Sequence, residues 1–198
     1  MSRSRPGRPR ASSREVIAEA ACELFFEQGY DATSVSDITR RAGVARSSFF
    51  NYFAAKGDVL WAGFDERADA AAAALGSGEG VKAVLLGIGA GFEPDALALA
   101  ITNAETMGLA PELERDRALR QRRLQREIAA RLIRDGRARI PAEVAAGGLA
   151  AAVFAAVWAW ADRTTGDAAL ETLLRDALTA AEEPGPAAAR RDPASPVS

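Results

Sequence analysis

The sequence predicts an all-α protein of about nine helices, with a small N-terminal helix-turn-helix domain and a larger helical remainder. Three observations support this prediction. Alanine is very common and hydrophobic residues make up 48% of the 198 positions, a composition that favours helix. Apolar side chains recur at spacings of three and four along most of the chain. Pro94, Pro111 and Pro141 each stand near a predicted helix start, where proline is tolerated.

The first helix is expected over 13–28, since residues 12–15 form a possible capping box and Gly29 follows as a stop. A second helix begins after Ser34, whose hydroxyl is followed three residues later by Asp37, again as in a capping box. Gly43 then suits the left-handed conformation that ends many helices. Two short helices joined by a tight turn are therefore predicted within about 34–53.

The third helix is predicted over about 45–53, and its two faces differ in character. At about 100° per residue, one side is apolar and suited to the core: Ala45, Phe49 and Phe53. The other side carries groups that suit a DNA major groove: Arg46, Ser47, Phe50 and Asn51. Arginine binds guanine with two hydrogen bonds, asparagine binds adenine, and an aromatic ring contacts the thymine methyl. This helix is therefore the predicted recognition helix, and the bland alternative is an ordinary helical hairpin with the same apolar spacing.

With these residues in place, the segment over 13–60 resembles the DNA-binding domain of TetR-family transcriptional regulators, in register and without gaps. The resemblance implies a homodimer that binds a palindromic operator and a C-terminal helical domain whose small-molecule ligand releases the DNA. This sequence departs from the family pattern at three positions. The family usually has glycine or proline near the position of Ser47, tyrosine at that of Phe50 and histidine at that of Tyr52. The resemblance implies DNA contacts by position. Together with the cap residue of the second helix, the predicted DNA-binding residues are Thr33, Ser34, Arg46, Ser47, Ser48, Phe50, Tyr52 and Lys56.

A second resemblance concerns the segment after the recognition helix. Residues 53–65, with Trp61 and the Phe64-Asp65 pair, are similar to regulators of the mycofactocin-system type. That similarity implies an acyl-CoA-like ligand domain, and a phosphorylated metabolite is an alternative ligand.

Four segments are expected along the chain: a disordered basic tail over 1–11, the DNA-binding domain over 12–58, a ligand-binding and dimerisation domain over 59–183, and a disordered tail over 184–198. The Gly7-Arg8-Pro9 core of the first tail resembles minor-groove arms, with a solvated tail as the favoured alternative. After a helix over about 56–75, further helices are predicted over about 80–92, 94–107, 111–135, 141–163 and 167–183. In the charged helix over 111–135, Leu119 and Leu124 are expected to point inward.

The C-terminal domain is expected to supply both the dimer interface and the ligand pocket. The resemblance implies that the last two helices form the interface, where small residues allow close approach: Gly147, Gly148, Ala151, Ala152 and Ala155. Candidate pocket residues combine large apolar groups with nearby polar ones, as ligand sites do: Phe92, Asn103, Thr106, Met107, Phe154, Trp158 and also Trp160. For the aromatic residues among them, an ordinary core position is the favoured alternative.

Charge is distributed unevenly. The first 56 residues carry nine Lys and Arg against six Asp and Glu, whereas the chain as a whole has 25 basic and 27 acidic residues. A basic N-terminal part fits phosphate binding, and the acidic remainder argues against a protein that coats DNA without sequence preference.

The absence of histidine rules out histidine-based catalysis and histidine metal sites. No cofactor, no metal site and no enzyme activity are predicted. Cys22 is expected to be a buried structural residue, and no signal peptide or membrane span is predicted, which suits the cytoplasm. The glycine-rich stretch 87–91 resembles a nucleotide loop, but it lies within a predicted helix and no strand precedes it. The predicted function is a ligand-released repressor, with an activator or a sequence-nonspecific DNA-binding protein as alternatives.

Overall fold

The computed structural model describes residues 13–162 and 169–182, and all regular secondary structure in these ranges is helical. The two tails predicted to be disordered lie outside the described residues. The helices are α1 (Ser13–Gln28), α2 (Val35–Ala42), α3 (Arg46–Phe50), α4 (Asp58–Ser77), α5 (Val81–Gly89), α6 (Ala96–Thr102), α7 (Ala110–Arg134), α8 (Arg139–Ala161) and α9 (Leu170–Glu182). The predicted all-α class is confirmed, and so are about nine helices over the part of the chain that is described.

Three helices, α3, α5 and α6, end three or more residues earlier than the sequence predicted. α3 stops at Phe50 because the backbone N–H groups of Tyr52 and Phe53 both donate to the carbonyl of Phe49, which closes a turn. α6 stops at Thr102, where the Asn103 side chain donates to the Leu99 carbonyl at 2.9 Å. Such local side-chain bonds to the backbone compete with continued helix.

One apolar core runs through both parts of the chain, and α4 connects them. Its first half packs against α1 through Val59 and Leu60, and its aromatic residues Trp61 and Phe64 reach Phe154 on α8. α7 and α8 form a long hairpin, against which α9 packs. The expectation for Leu119 was wrong: it is 61% exposed, whereas Leu124 is buried as predicted. Leu119 lies on the face of α7 that no other described helix covers.

The N-terminal domain docks on the C-terminal domain through the turn that follows α1. The backbone N–H of Tyr30 donates to the Met107 carbonyl at 2.8 Å, and the Tyr30 hydroxyl donates to Glu112 at 3.3 Å. Tyr30 is buried at this contact, which joins the turn between α1 and α2 to the 107–112 segment.

α8 is the single helix in the described ranges that is long and apolar enough to span a membrane by length and composition. Half of that stretch is buried inside the protein, which is the pattern of a core helix. It packs against α7 and α9.

Candidate nucleic-acid interface

The start of α2 is fixed by a reciprocal cap. The Ser34 hydroxyl accepts from the backbone N–H of Asp37 at 3.1 Å, and the Asp37 carboxylate accepts from the backbone N–H of Ser34 at 3.0 Å. The Ser34 hydroxyl also donates to the Asp37 carboxylate at 2.5 Å, and this bond, the one from the Ser34 backbone and one from Arg40 lower the pKa of Asp37. Gly43 ends the helix at φ 67°, the left-handed region that favours glycine. The capping box and the glycine stop predicted from the sequence are both present.

The inner face of α3 anchors the recognition helix to the core. Phe49 is fully buried and Phe53 is 4% exposed, with their ring centroids 5.4 Å apart. Ile38 of α2 belongs to the same core. Ala45, the third residue assigned to this face, is exposed instead, because it precedes the helix as its N-cap in extended conformation.

The outer face of α3 presents a guanidinium and an aromatic ring to solvent. Arg46 donates to the hydroxyl of Ser36 on α2 at 2.9 Å, and its guanidinium carbon lies 5.7 Å from the centroid of the Phe50 ring. Phe50 itself is 50% exposed. Ser47 is exposed and Ser48 is half-buried, so small hydroxyls flank the arginine. Arg46 is thus held in place by two neighbours while its charge remains accessible.

Thr33 does not present its side chain to solvent. It is 2% exposed, and its hydroxyl donates to the Gly29 carbonyl at 2.8 Å and accepts from Gln28 at 3.2 Å. The reason is that Thr33 lies in the turn that connects α1 to α2, where its hydroxyl satisfies backbone carbonyls at the end of α1. In this conformation its side chain stabilises that turn and faces away from the surface that would meet DNA.

Lys56 is also engaged within the protein. Its ammonium donates to the carbonyls of Tyr30 at 2.7 Å and of Thr33 at 3.0 Å, and lies 4.0 Å from the centroid of the Tyr30 ring. The lysine therefore ties the segment after α3 to the turn before α2. Tyr52, by contrast, is 48% exposed and its hydroxyl is available on the surface.

Two residues at this surface were not singled out by the sequence analysis. Ser36 positions Arg46. It lies two residues after the cap, where nothing in the sequence pattern marked it as part of the DNA-binding surface. Arg40 was not assigned to the DNA-binding surface, yet its side chain is 76% accessible at the end of α2, where it pairs with Asp37. Its neighbour Arg41 differs, because it is bound to Glu23 at 2.9 Å and to Glu27 at 2.6 Å.

The candidate ligand residues are not gathered around one cavity. Phe154 and Met107 are fully buried in the core, and Trp158 packs on Trp61 with ring centroids 5.9 Å apart. The other residues lie apart from this cluster: Phe92 stacks edge-on against Trp160 at 5.2 Å, the Asn103 side chain bonds Leu99, and Thr106 is exposed. A cavity of about 1060 Å³ between α1, α4 and α6 is lined by none of them.

The glycine-rich stretch 87–91 has a packing role at its third residue. A side chain on Gly89 would lie 2.5 Å from a methyl of Leu174 and 3.2 Å from the backbone of Glu171, so glycine lets α9 approach α5 closely. The stretch lies at the end of α5, and no strand precedes it within the described ranges. The geometry of a nucleotide-binding loop is therefore absent from this part of the structure.

Cys22 is buried on α1, and burial raises the pKa of its thiol to about 11. The nearby carboxylates of Asp95 and Glu23 act in the same direction. Because the thiolate is the reactive form, the residue is inert at neutral pH, as expected of a structural cysteine.

The segment that carries this surface is similar to known proteins. Residues 17–62 match the family described as "Bacterial regulatory proteins, tetR family". The mycofactocin biosynthesis transcriptional regulator MftR of Mycobacterium tuberculosis is 43% identical over 61 residues, 31% of each chain. The transcriptional repressor DhaR of a Mycobacterium species is 38% identical over 47 residues, 24% of each chain. The matched segments thus span less than a third of the length of these curated relatives.

Two solved structures match this chain over nearly its whole length. FadR of Thermus thermophilus, a TetR-family repressor solved with lauroyl-CoA, is 27% identical with a TM-score of 0.47 and covers 93% of this chain and all of its own. AmtR of Mycobacterium smegmatis is 23% identical with a TM-score of 0.46, covering 92% of both chains. The specific evidence is therefore the N-terminal match, which coincides with α1 to α3 and the start of α4. By that match, the helix-turn-helix domain of this chain belongs to the TetR family of bacterial regulatory proteins.

Proposed function

We propose that this protein is a sequence-specific DNA-binding transcriptional regulator, and that it acts as a repressor released from a palindromic operator by a small molecule. The observation that carries the proposal is the exposed arginine of α3. Arg46 lies between Ser36 and Phe50, on the helix that the family match assigns to the DNA-binding domain. The relatives named above are transcriptional regulators, which supports a regulatory rather than an enzymatic role.

In the proposed complex, α3 enters the major groove and Arg46 hydrogen-bonds a guanine edge. Phe50 would contact a thymine methyl, and Ser47 and Ser48 would let the helix approach closely. The phosphate contacts come from the periphery of this surface, where they position the domain without specifying sequence. We assign them to Tyr52, Arg40, the Ser34 region at the start of α2, and Lys56 after release from its present carbonyl partners.

We propose a homodimer, because a two-fold pair of recognition helices fits a palindromic operator. The exposed apolar residues favour α8, flanked by α7, as the interface. Ile140 is 76% exposed, Val144 is 71% exposed, and Leu119 of α7 is 61% exposed. Gly148, Ala151 and Ala155 continue the exposed stripe along α8.

The outer face of α9, in contrast, carries charged and hydroxyl residues, which include Glu171, Arg175 and Asp176. The proposed interface therefore differs from the one expected from the sequence, in which the last two helices contribute together. An apolar face that is exposed in the monomer gains most from burial against a second copy.

Ligand release requires a connection between the two domains, and two contacts supply it. Tyr30 is hydrogen-bonded to Met107 and Glu112, and Arg120 of α7 lies 3.4 Å from the Asp58 carboxylate at the start of α4. A ligand that shifts α6, α7 or the segment between them would therefore move the turn before α2. The resemblance to mycofactocin-type regulators makes an acyl-CoA-like molecule one candidate ligand. Cytoplasmic localisation follows if the target is genomic DNA.

Genome-wide footprinting of the purified protein would provide the operator for a direct test. Arg46→Ala should weaken operator binding by about 1–3 kcal/mol for each half-site, roughly five- to 150-fold, because each subunit loses one bidentate base contact. Arg175→Ala on α9 is the matched control, since Arg175 is an exposed arginine on a helix face outside the proposed interface. Equal operator affinity of the Arg46 variant and the wild type would contradict the assignment of α3.

Competition with unrelated duplex DNA separates the leading proposal from sequence-nonspecific binding. A specific binder retains an affinity advantage of about a thousandfold or more for its site at physiological salt. Transcription assays on the recovered operator then decide between repressor and activator, which share the same DNA contacts.

A further inference from the structure

A cavity in the described structure forms a groove between the two domains. It has a volume of about 1060 Å³ and is bordered by α1 of the DNA-binding domain, the first half of α4, and α6. This is the size of a site for a small organic molecule. Because α1 lies on one side and α6 on the other, anything bound here touches both domains at once.

The floor of the groove is apolar. It includes Ala18 and Cys22 from α1, Leu60 from α4, and Leu99 from α6. At one end Phe26 leaves 44% of its side chain exposed, and Leu99 is 41% exposed. Two large apolar side chains that flank an open groove favour an occupant with a hydrocarbon body.

The walls are acidic. Six carboxylates line the groove against one basic residue, Arg14. Four of them repeat along one face of α1 at intervals of four residues, and the others come from α4 and α6: Glu15, Glu19, Glu23, Glu27, Glu66 and Asp95. Such a field attracts cations and repels anions.

Part of this charge is neutralised within the protein. Arg41 binds Glu23 and Glu27 from outside the groove, and Arg14 binds Glu66. Glu19 has no ion pair or hydrogen bond with any residue that the structure describes. The unneutralised charge is therefore centred on Glu19 and on Asp95, which face the groove from opposite domains.

Asp95 is held in position at the groove by the start of α6. One of its carboxylate oxygens accepts from the backbone N–H groups of Leu97 at 3.0 Å and Ala98 at 3.3 Å. The other carboxylate oxygen lies 2.6 Å from the position that a Cβ atom at Gly63 would occupy, so the glycine leaves room for the carboxylate. Partial burial raises the pKa of Asp95, with Arg67 acting in the opposite direction. A cation placed in the groove would relieve this unfavourable burial.

From these observations we infer that the groove between α1, α4 and α6 binds an organic cation with an apolar body, such as an alkylammonium or quaternary ammonium compound. The hydrocarbon would cover the floor, and the positive group would lie between Glu19 and Asp95. Phe26 offers an aromatic face of the kind that binds quaternary ammonium groups. A metal ion fits less well, because no three metal-ligating side chains are grouped closely enough in the described ranges.

Two other occupants fit less well. An acyl-CoA carries several negative phosphates, which the carboxylates would repel. The chain's own N-terminal tail carries arginines, but Met1 is the only large apolar residue in 1–12, so the tail would leave the floor uncovered.

If the proposed DNA-binding function holds, a cation in this groove is an effector. The coupling is reciprocal. If the bound cation lowers the affinity for operator by some factor, bound operator lowers the affinity for the cation by the same factor. Binding to the groove is nevertheless measurable on the free protein. A failure of the groove proposal is therefore distinguishable from a failure of the DNA-binding proposal.

The test is isothermal titration of the full chain with decyltrimethylammonium below its micelle-forming concentration. We expect one saturable site per chain. Tetramethylammonium should bind at least about tenfold more weakly, because it lacks most of the apolar surface that contributes to binding. Decyl sulfate has the same chain length and the opposite charge. If it bound as tightly as the cation, the groove would be a nonspecific apolar surface and the proposal would be overturned.

Variants locate the site. Asp95→Asn keeps a residue that caps helices well and removes the charge, while Phe26→Ala removes an exposed ring. Each should weaken decyltrimethylammonium binding by about three- to tenfold. Glu105→Gln is the matched control, since Glu105 is an exposed acid outside the groove, and it should bind as wild type. Wild-type affinity in both groove variants would show that the cation binds elsewhere.

Discussion

Replacement of Arg120 by methionine tests the main polar connection between α4 and α7. The Arg120 guanidinium donates two hydrogen bonds of 2.8 Å to Asp65 and lies 3.4 Å from Asp58 and 3.6 Å from Asp116. It also lies 4.5 Å from the centroid of the Trp61 ring. Methionine preserves most of the apolar stem and removes the charge, so three carboxylates lose their common counterion.

The expected loss follows from how far these groups are buried. The side chains of Arg120 and Asp116 are 14% accessible, whereas those of Asp65 and Asp58 are 30% and 34% accessible. Fully buried pairs cost about 3–5 kcal/mol when one partner is removed, and exposed pairs about 0–1 kcal/mol. With about 0.5–1 kcal/mol for the lost contact with the indole ring, we expect the free energy of unfolding to fall by roughly 2–3 kcal/mol.

Urea unfolding at pH 7 measures this change, and Arg175→Met on α9 is the matched control. Arg175 is exposed and its one ion pair, with Glu171, is on the surface, so its variant should lie within about 0.5 kcal/mol of wild type. The pH dependence gives a second readout. Burial raises the pKa of Asp116 while Arg120 lowers it, so removal of the guanidinium should raise that pKa further. A group with a raised pKa in the folded state contributes stability below its unfolded pKa and loses it as pH rises. The deficit of the variant should therefore be smaller near pH 4 than at pH 7. A loss below about 0.5 kcal/mol, equal to that of the control, would refute the reasoning.

Four further predictions concern single features of the fold. Ser34→Ala should lower the free energy of unfolding by about 1 kcal/mol in urea titrations, because the Asp37 N–H loses its cap. An unchanged free energy of unfolding would mean that the capping box does not stabilise the fold. Gly43→Ala should cost about 1 kcal/mol by the same assay because φ is 67°, whereas Gly76→Ala, in open space on α4, should not. The Cys22 thiol should resist alkylation at pH 8 in the folded protein and react in urea. Since its folded pKa is raised to about 11, stability should fall as pH rises through 9 to 11, a fall that Cys22→Ala should lack. Val144→Asp should shift the mass measured by light scattering from dimer to monomer, and a dimeric variant would exclude α8 as the interface.

The sequence was most informative where local chemistry decides the structure. The Ser34 box, the Gly43 stop and the apolar spacing of Phe49 and Phe53 fixed the helix-turn-helix without reference to the rest of the chain. These features depend on residues within four positions of each other, so they can be recognised from sequence alone. The bounds of α1 and the general order of the later helices were predicted for the same reason.

The sequence was least informative about which side of a helix faces solvent in the C-terminal domain. Leu119 and Leu124 share an apolar character, yet only Leu124 is buried, because the path of α8 determines which face of α7 is covered. Likewise, Thr33 resembles a surface cap residue, but the turn between α1 and α2 directs its hydroxyl to the Gly29 carbonyl. Neither outcome follows from spacing, since each depends on a neighbouring element.

The sequence by itself therefore determined an all-α chain with an N-terminal helix-turn-helix and the residues that make up its outer face. The tertiary structure decided how that face is held, through the contacts of Arg46 with Ser36 and Phe50. It also separated the candidate pocket residues and created the acidic groove from α1, α4 and α6. Helix formation is governed by neighbours in sequence, whereas a cavity or a shared ion pair exists only after distant helices pack together.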